Sequence, residues 1–132
     1  MDTKIQTKAQ NAIEACDLLA EFLDTHGLGS WSPRFRDISE ALKIDDYNKA
    51  IRLEKEIPRG GMGSFGDFYV DAKSGEEEWE AQSKFIFLSG SQSKTITNLR
   101  VYFEYNKDNP LQNLDFNSLT KDDKRNELHK LR

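Results

Sequence analysis

The chain is poor in the residues from which most active sites are built. Its 132 residues include one cysteine and two histidines. Cys16 has no partner for an internal disulfide, which suits a reducing compartment. Neither His26 nor His129 belongs to a His-Glu-x-x-His spacing, and no Cys-x-x-Cys pair exists, so no metal site and no metal cofactor are expected. Long apolar runs are missing as well. No stretch approaches the roughly twenty apolar residues of a membrane span, and Met1-Asp2-Thr3-Lys4 does not lead into the apolar core of about seven to fifteen residues that a secretion signal needs. Positive charge is in deficit: 19 Lys and Arg stand against 23 Asp and Glu, a formal net charge of −4. That excess repels a polyanion, which argues against nucleic acid or an acidic membrane as partner and for a protein with a basic or neutral contact surface. Together these absences point to a cytoplasmic protein.

What is present suffices for one folded domain spanning 1–132. An aromatic fraction of 11% supplies side chains large enough to offset the entropy of ordering, while the 32% of charged residues makes a well-solvated surface. In the first quarter, Ile5, Ala9, Ile13, Cys16, Leu19 and Leu23 recur at steps of three and four, which predicts an amphipathic helix over 3–25. His26 in its last turn and Gly27 just beyond are its stop signal. Ser32-Pro33 reads as a cap and first position of a second helix, running to about Lys43 with Phe35, Ile38 and Leu42 inward and Trp31 folded back on its first turn. Asp45 or Asp46 caps a third helix carrying Tyr47, Ala50, Ile51 and Glu54, which Pro58 ends.

The C-terminal half reads less cleanly. Phe68-Tyr69-Val70 is a short strand candidate, and Ser74 with Glu77 resembles a capping box at a helix start. Residues 84–105 are rich in β-branched and aromatic side chains, and Leu99, Val101, Phe103 and Tyr105 alternate as in a strand, yet Ile96, Leu99 and Phe103 also fit a helix. The expected fold class is therefore α+β and mainly helical: three N-terminal helices, a glycine-rich loop, a short β element and one or two further helices, with a small antiparallel sheet in the C-terminal half as the alternative. Residues 110–132 form a polar tail with too few apolar side chains to hold it firmly to a core.

Two segments stand out as candidate sites. Residues 58–67 read PRGGMGSFGD, and Gly61, Gly63 and Gly66 match the G-x-G-x-x-G fingerprint whose backbone amides approach a pyrophosphate. That fingerprint must follow a strand and open a helix, whereas here it follows a helix and leads to a strand candidate. The accompanying kinase and Walker residues are missing too. A structural turn that sends Met62 and Phe65 into the core is the stronger reading, and a small ligand- or nucleotide-binding domain using Gly60, Gly61, Gly63, Ser64, Gly66 and Asp67 is the alternative. The second segment, DAKSGEEEWE, places Asp71, Glu76, Glu77, Glu78 and Glu80 around Trp79, an acidic cluster with the kind of aromatic anchor that interfaces favour. Cys16 shares the apolar stripe of its helix, so the core reading is preferred over a nucleophile.

The run Gly60-Gly61-Met62-Gly63-Ser64-Phe65-Gly66-Asp67-Phe68, with a Trp near the start of the second helix, resembles a family of small uncharacterised bacterial proteins carrying GGMGS, an aromatic or leucine, and Asn-Asp; here Gly66 replaces the asparagine. The match covers about ten residues firmly and the first hundred loosely, and the chain departs from that family in its β-rich 84–105 stretch, where the family suggests helix, and in its extra C-terminal tail. In size and acidity the chain also resembles the immunity proteins that bacteria encode beside polymorphic toxins. That resemblance implies a non-enzymatic protein that binds and neutralises a cognate toxin by occluding it, with no cofactor. Asp71, Glu76, Glu77, Glu78, Trp79 and Glu80 are then the expected contact surface.

Overall fold

The computed structural model describes residues 3–59, 65, 70, 72–73 and 75–108, and these contain four helices: α1 Thr3–Thr25, α2 Ser32–Lys43, α3 Tyr47–Lys55 and α4 Glu78–Asp108. α1 packs against both α2 and α4, α3 lies on α2, and a smaller contact joins α3 to α4. The inward stripe of α1 runs Ala9, Ala12, Cys16, Leu19, Ala20 and Leu23, all buried. Its small members bring the neighbouring helices close, and its leucines fill the space between them.

Helix ends follow local chemistry. Gly27 sits at φ +79, the left-handed conformation that a helix exit requires and glycine adopts without steric cost. The Leu28 amide then returns to the Leu23 carbonyl at 2.9 Å. At α3, the Asp46 side chain accepts from the Lys49 amide at 3.2 Å, as one of the two expected capping aspartates should. At α2 the expectation needs correction in detail. Trp31, not Ser32, occupies the cap position, and its side chain makes no capping bond. The Ser32 hydroxyl instead meets Asp24 Oδ1 at 2.5 Å and the Gly29 carbonyl at 2.9 Å, tying the α1–α2 turn together.

The centre of the core is aromatic. Phe65, 2% exposed, has its ring 4.9 Å from Phe35, 5.3 Å from Trp31 and 5.5 Å edge-on from Phe85. Trp31 therefore packs on the far end of the glycine-rich segment, and it also meets the first turn of its own helix as expected, with the Arg34 guanidinium over its ring at 5.0 Å. The Phe65 amide donates to the Pro58 carbonyl at 2.6 Å, so the chain returns to its starting point across that segment. Turning Phe65 inward was expected; Met62 lies outside the described residues.

The α+β expectation is overturned. No strand occurs among the described residues, and 84–105 belongs entirely to α4, which rules out both the small sheet and a separate second element there. Phe68 and Tyr69 lie outside the described residues. Val70 belongs to no strand: it buries its side chain and donates its amide to Gln82 Oε1 of α4 at 2.9 Å. The reason α4 prevails is tertiary. Ala81, Phe85, Gln92, Ile96 and Leu99 recur at helical spacing and are all buried, whereas in a strand the alternating set Leu99, Val101 and Phe103 would share one face. Instead Leu99 is buried and Val101 is 43% exposed. Burying one helical stripe outweighs β-propensities of a few tenths of a kcal/mol per residue, on a scale spanning about 1 kcal/mol. Ser89-Gly90-Ser91, which in the sequence reads as a break separating two elements, does not interrupt the helix either, because Gly90 within a helix costs only about 1 kcal/mol relative to alanine.

Candidate functional site

Two groups of side chains stand apart from the apolar core. One is a polar network where α3, α4 and the start of the glycine-rich segment meet. Gln92, fully buried on α4, donates through Nε2 to Glu54 Oε2 at 2.8 Å and more weakly to Cys16 Sγ at 3.6 Å. Its Oε1 accepts from the guanidinium of Arg59. Arg59 also pairs with Glu54 Oε1 at 3.1 Å, reaches Ser89 Oγ at 3.4 Å, and lies over the rings of Phe65 and Phe35 at 5.3 and 5.8 Å. Burial raises the Glu54 carboxyl above its ordinary range, an effect that Gln92 and Arg59 partly oppose. Burial likewise pushes the Cys16 thiol up to about 12. A thiol so high is not a nucleophile at neutral pH, and an arginine already neutralised by Glu54 is a poor receptor for an anion. The network anchors the entry to the glycine-rich segment.

The second group is the start and outer face of α4. Gly75, at φ +86, turns the chain, and the Glu77 carbonyl accepts the amides of Glu80 and Ala81, both at 3.1 Å. The helix thus begins at Glu78, and Glu78 and Glu80 lie in its first turn, where carboxylates complement the helix dipole. Ser74 of the expected capping box lies outside the described residues. Trp79 is 68% exposed. Two further large apolar side chains, Ile86 and Phe87, are 64% and 71% exposed, and helical spacing puts them on the same face as Trp79, opposite the buried stripe. Glu77 and Glu78 are exposed beside Trp79, and Glu80 is partly so.

Glu76 has a different role from its neighbours. Its Oε1 meets His26 Nε2 at 3.0 Å, and its Oε2 meets Lys84 Nζ at 3.4 Å. The hydrogen bond from His26 is the main cause that holds its carboxyl below the ordinary range. His26 is buried, stacked on Phe22 at 3.9 Å, with Nδ1 3.0 Å from the Phe22 carbonyl. Glu76 is therefore committed to an internal contact that fastens the approach to α4 onto the end of α1.

Of the residues singled out in the sequence, Glu77, Glu78, Trp79 and Glu80 form one surface group and Glu76 faces inward. Asp71, Gly60, Gly61, Gly63, Ser64, Gly66 and Asp67 lie outside the described residues. Ile86 and Phe87 were missed because a strand reading of FIFL hides their register. The network of Glu54, Arg59 and Gln92 was missed because Gln92 lies 38 positions from Glu54 and 33 from Arg59, and no local spacing links them. Among the described residues no three His, Cys, Asp or Glu side chains gather as metal ligands would, and no helix is long and apolar enough to cross a membrane. Neither a family model, nor a curated protein, nor a solved structure matches the chain.

Proposed function

We propose that this protein acts by binding another protein, as an immunity protein that neutralises a cognate toxin by occluding it, and that the contact centres on Trp79. The observation that carries this reading is the exposure of Trp79 at 68% with the carboxylates of Glu77, Glu78 and Glu80 around it. A folded chain gains nothing internally from leaving an indole in water, whereas an aromatic anchor ringed by charge is the usual composition of an interface hot spot. The acidic rim would speed encounter with a basic surface, and burial of the indole would supply most of the affinity. Glu76 is excluded from the contact set because its carboxylate is already held by His26 and Lys84.

The test is binding to the toxin domain that such a protein would be encoded beside, measured by calorimetry at several salt concentrations. Trp79→Ala should weaken the complex by at least about tenfold. The pair Glu77→Lys and Glu78→Lys should slow association and reduce its salt dependence. Unchanged affinity in both variants would remove this surface from the contact, and failure of the domains to associate would remove the inhibitor reading itself.

A further inference from the structure

The outer face of α4 has an internal symmetry that Trp79 alone does not show. Proceeding along the helix, this face presents Trp79 and Glu80, then Ser83, then Ile86 and Phe87, then Gly90, then Lys94. The acidic end precedes the apolar centre and the basic residue follows it at about the same distance. Neither the Glu80 carboxylate nor the Lys94 ammonium has an ion-pair partner among the described residues. A Cβ added at Gly90 would meet nothing within 4 Å, so the helix backbone is open to close approach there. We propose that this face is an interface with a second copy of the same chain, the two α4 helices pairing antiparallel about a twofold axis between Ile86 and Phe87.

In that register each feature finds its complement. Ile86 lies against Phe87 of the second copy, and Ser83 lies opposite Gly90, so the two smallest side chains on the face flank its apolar centre and let the helices close. Lys94 meets Trp79 and Glu80 of the other copy, a cation over an indole beside a carboxylate. The twofold axis makes every contact twice, as an isologous interface requires. A parallel pairing would instead set Glu80 against Glu80 and Lys94 against Lys94. The exposed parts of Trp79, Ile86 and Phe87 amount to roughly 400 Å² per copy, less than the ~800 Å² per partner of a standard interface. A contact of that size suits a weak, reversible pair. This inference stands without the toxin-binding reading and goes beyond it. If both hold, toxin and second copy compete for Trp79.

Sedimentation equilibrium of the full chain alone, over a wide concentration range, tests it. The wild type should show a reversible monomer–dimer equilibrium. Phe87→Glu should be monomeric at concentrations tenfold above the wild-type midpoint, with an unchanged circular dichroism spectrum because most of Phe87 lies in solvent. Glu80→Lys and Lys94→Glu should each weaken the dimer about tenfold, by placing like charges opposite one another twice, and the two together should restore it to within about threefold of wild type. A wild type that stays monomeric, a dimer indifferent to Phe87→Glu, or a double variant no tighter than the single ones would each overturn the proposal. None of these results depends on a toxin, so failure here leaves the inhibitor reading to its own test.

Discussion

His26 Nε2 lies 3.0 Å from Glu76 Oε1, and this one contact joins the end of α1 to the residues that lead into α4. Both ring nitrogens of His26 face oxygen atoms, the Phe22 carbonyl on one side and the Glu76 carboxylate on the other. The carboxylate form of Glu76 is the one this geometry favours.

The sign of the pH effect follows. The folded protein holds the Glu76 carboxyl below its unfolded value of 4.5, so the contact stabilises the fold above that pH and is lost as pH falls through the folded value. Between about pH 6 and pH 3 the melting temperature should fall less steeply in Glu76→Gln than in the wild type, with the variant less stable at the upper end. Parallel curves for the two proteins would show that this contact contributes nothing to acid sensitivity.

Arg59 and Glu54 should behave as a coupled pair. Removing the guanidinium leaves a largely buried carboxylate with only the Gln92 amide and the charge of Arg100 to offset its burial, so Arg59→Met should destabilise by roughly 1–3 kcal/mol, below the full cost for a completely buried pair because Arg59 is a quarter exposed. Adding Glu54→Gln should recover part of that loss. Urea unfolding of the two single variants and the double variant gives the coupling energy, and strict additivity would mean that the pair is solvated and energetically idle.

Phe65 should be among the most sensitive positions in the chain. It touches Trp31, Phe35 and Phe85, and truncation leaves a cavity at their meeting point. Phe65→Ala should cost about 3–5 kcal/mol. A loss under about 1 kcal/mol in equilibrium unfolding would show that the glycine-rich segment is not fastened through this ring.

Cys16 should be silent to thiol reagents in the folded state. It is fully buried, and burial pushes its thiol up to about 12, so modification should require opening of the protein and should rise with denaturant. Rapid stoichiometric labelling of the native protein would contradict the packing of α1 against α4.

The N-terminal helices were legible because each carries both a period and punctuation. Ile5 to Leu23 gives the period of α1, Gly27 ends it, and Asp46 opens α3. The outward start of α4 was partly legible too, since the acidic residues around Trp79 mark a helix beginning and a solvated surface at once. What could not be read was the helix from Phe85 to Tyr105. Its composition favours a strand, and only the packing of Phe85, Ile96 and Leu99 against α1 and its neighbours decides the matter. The inward turn of Glu76 was hidden for a related reason: His26 is fifty positions away, and nothing local distinguishes Glu76 from Glu77 or Glu78.

Gln92 has a consequence for how α4 is held lengthwise. A long helix gripped by leucine, isoleucine and phenylalanine could ride forward or back by one turn, about 5.4 Å, and still find greasy neighbours. With Gln92 in the grip it cannot, because such a slide would strand its amide in the dry interior and part it from the half-buried Glu54 carboxylate and Arg59 guanidinium. The side chain works as a detent, and it fixes which residues of α4 are turned toward the outside world.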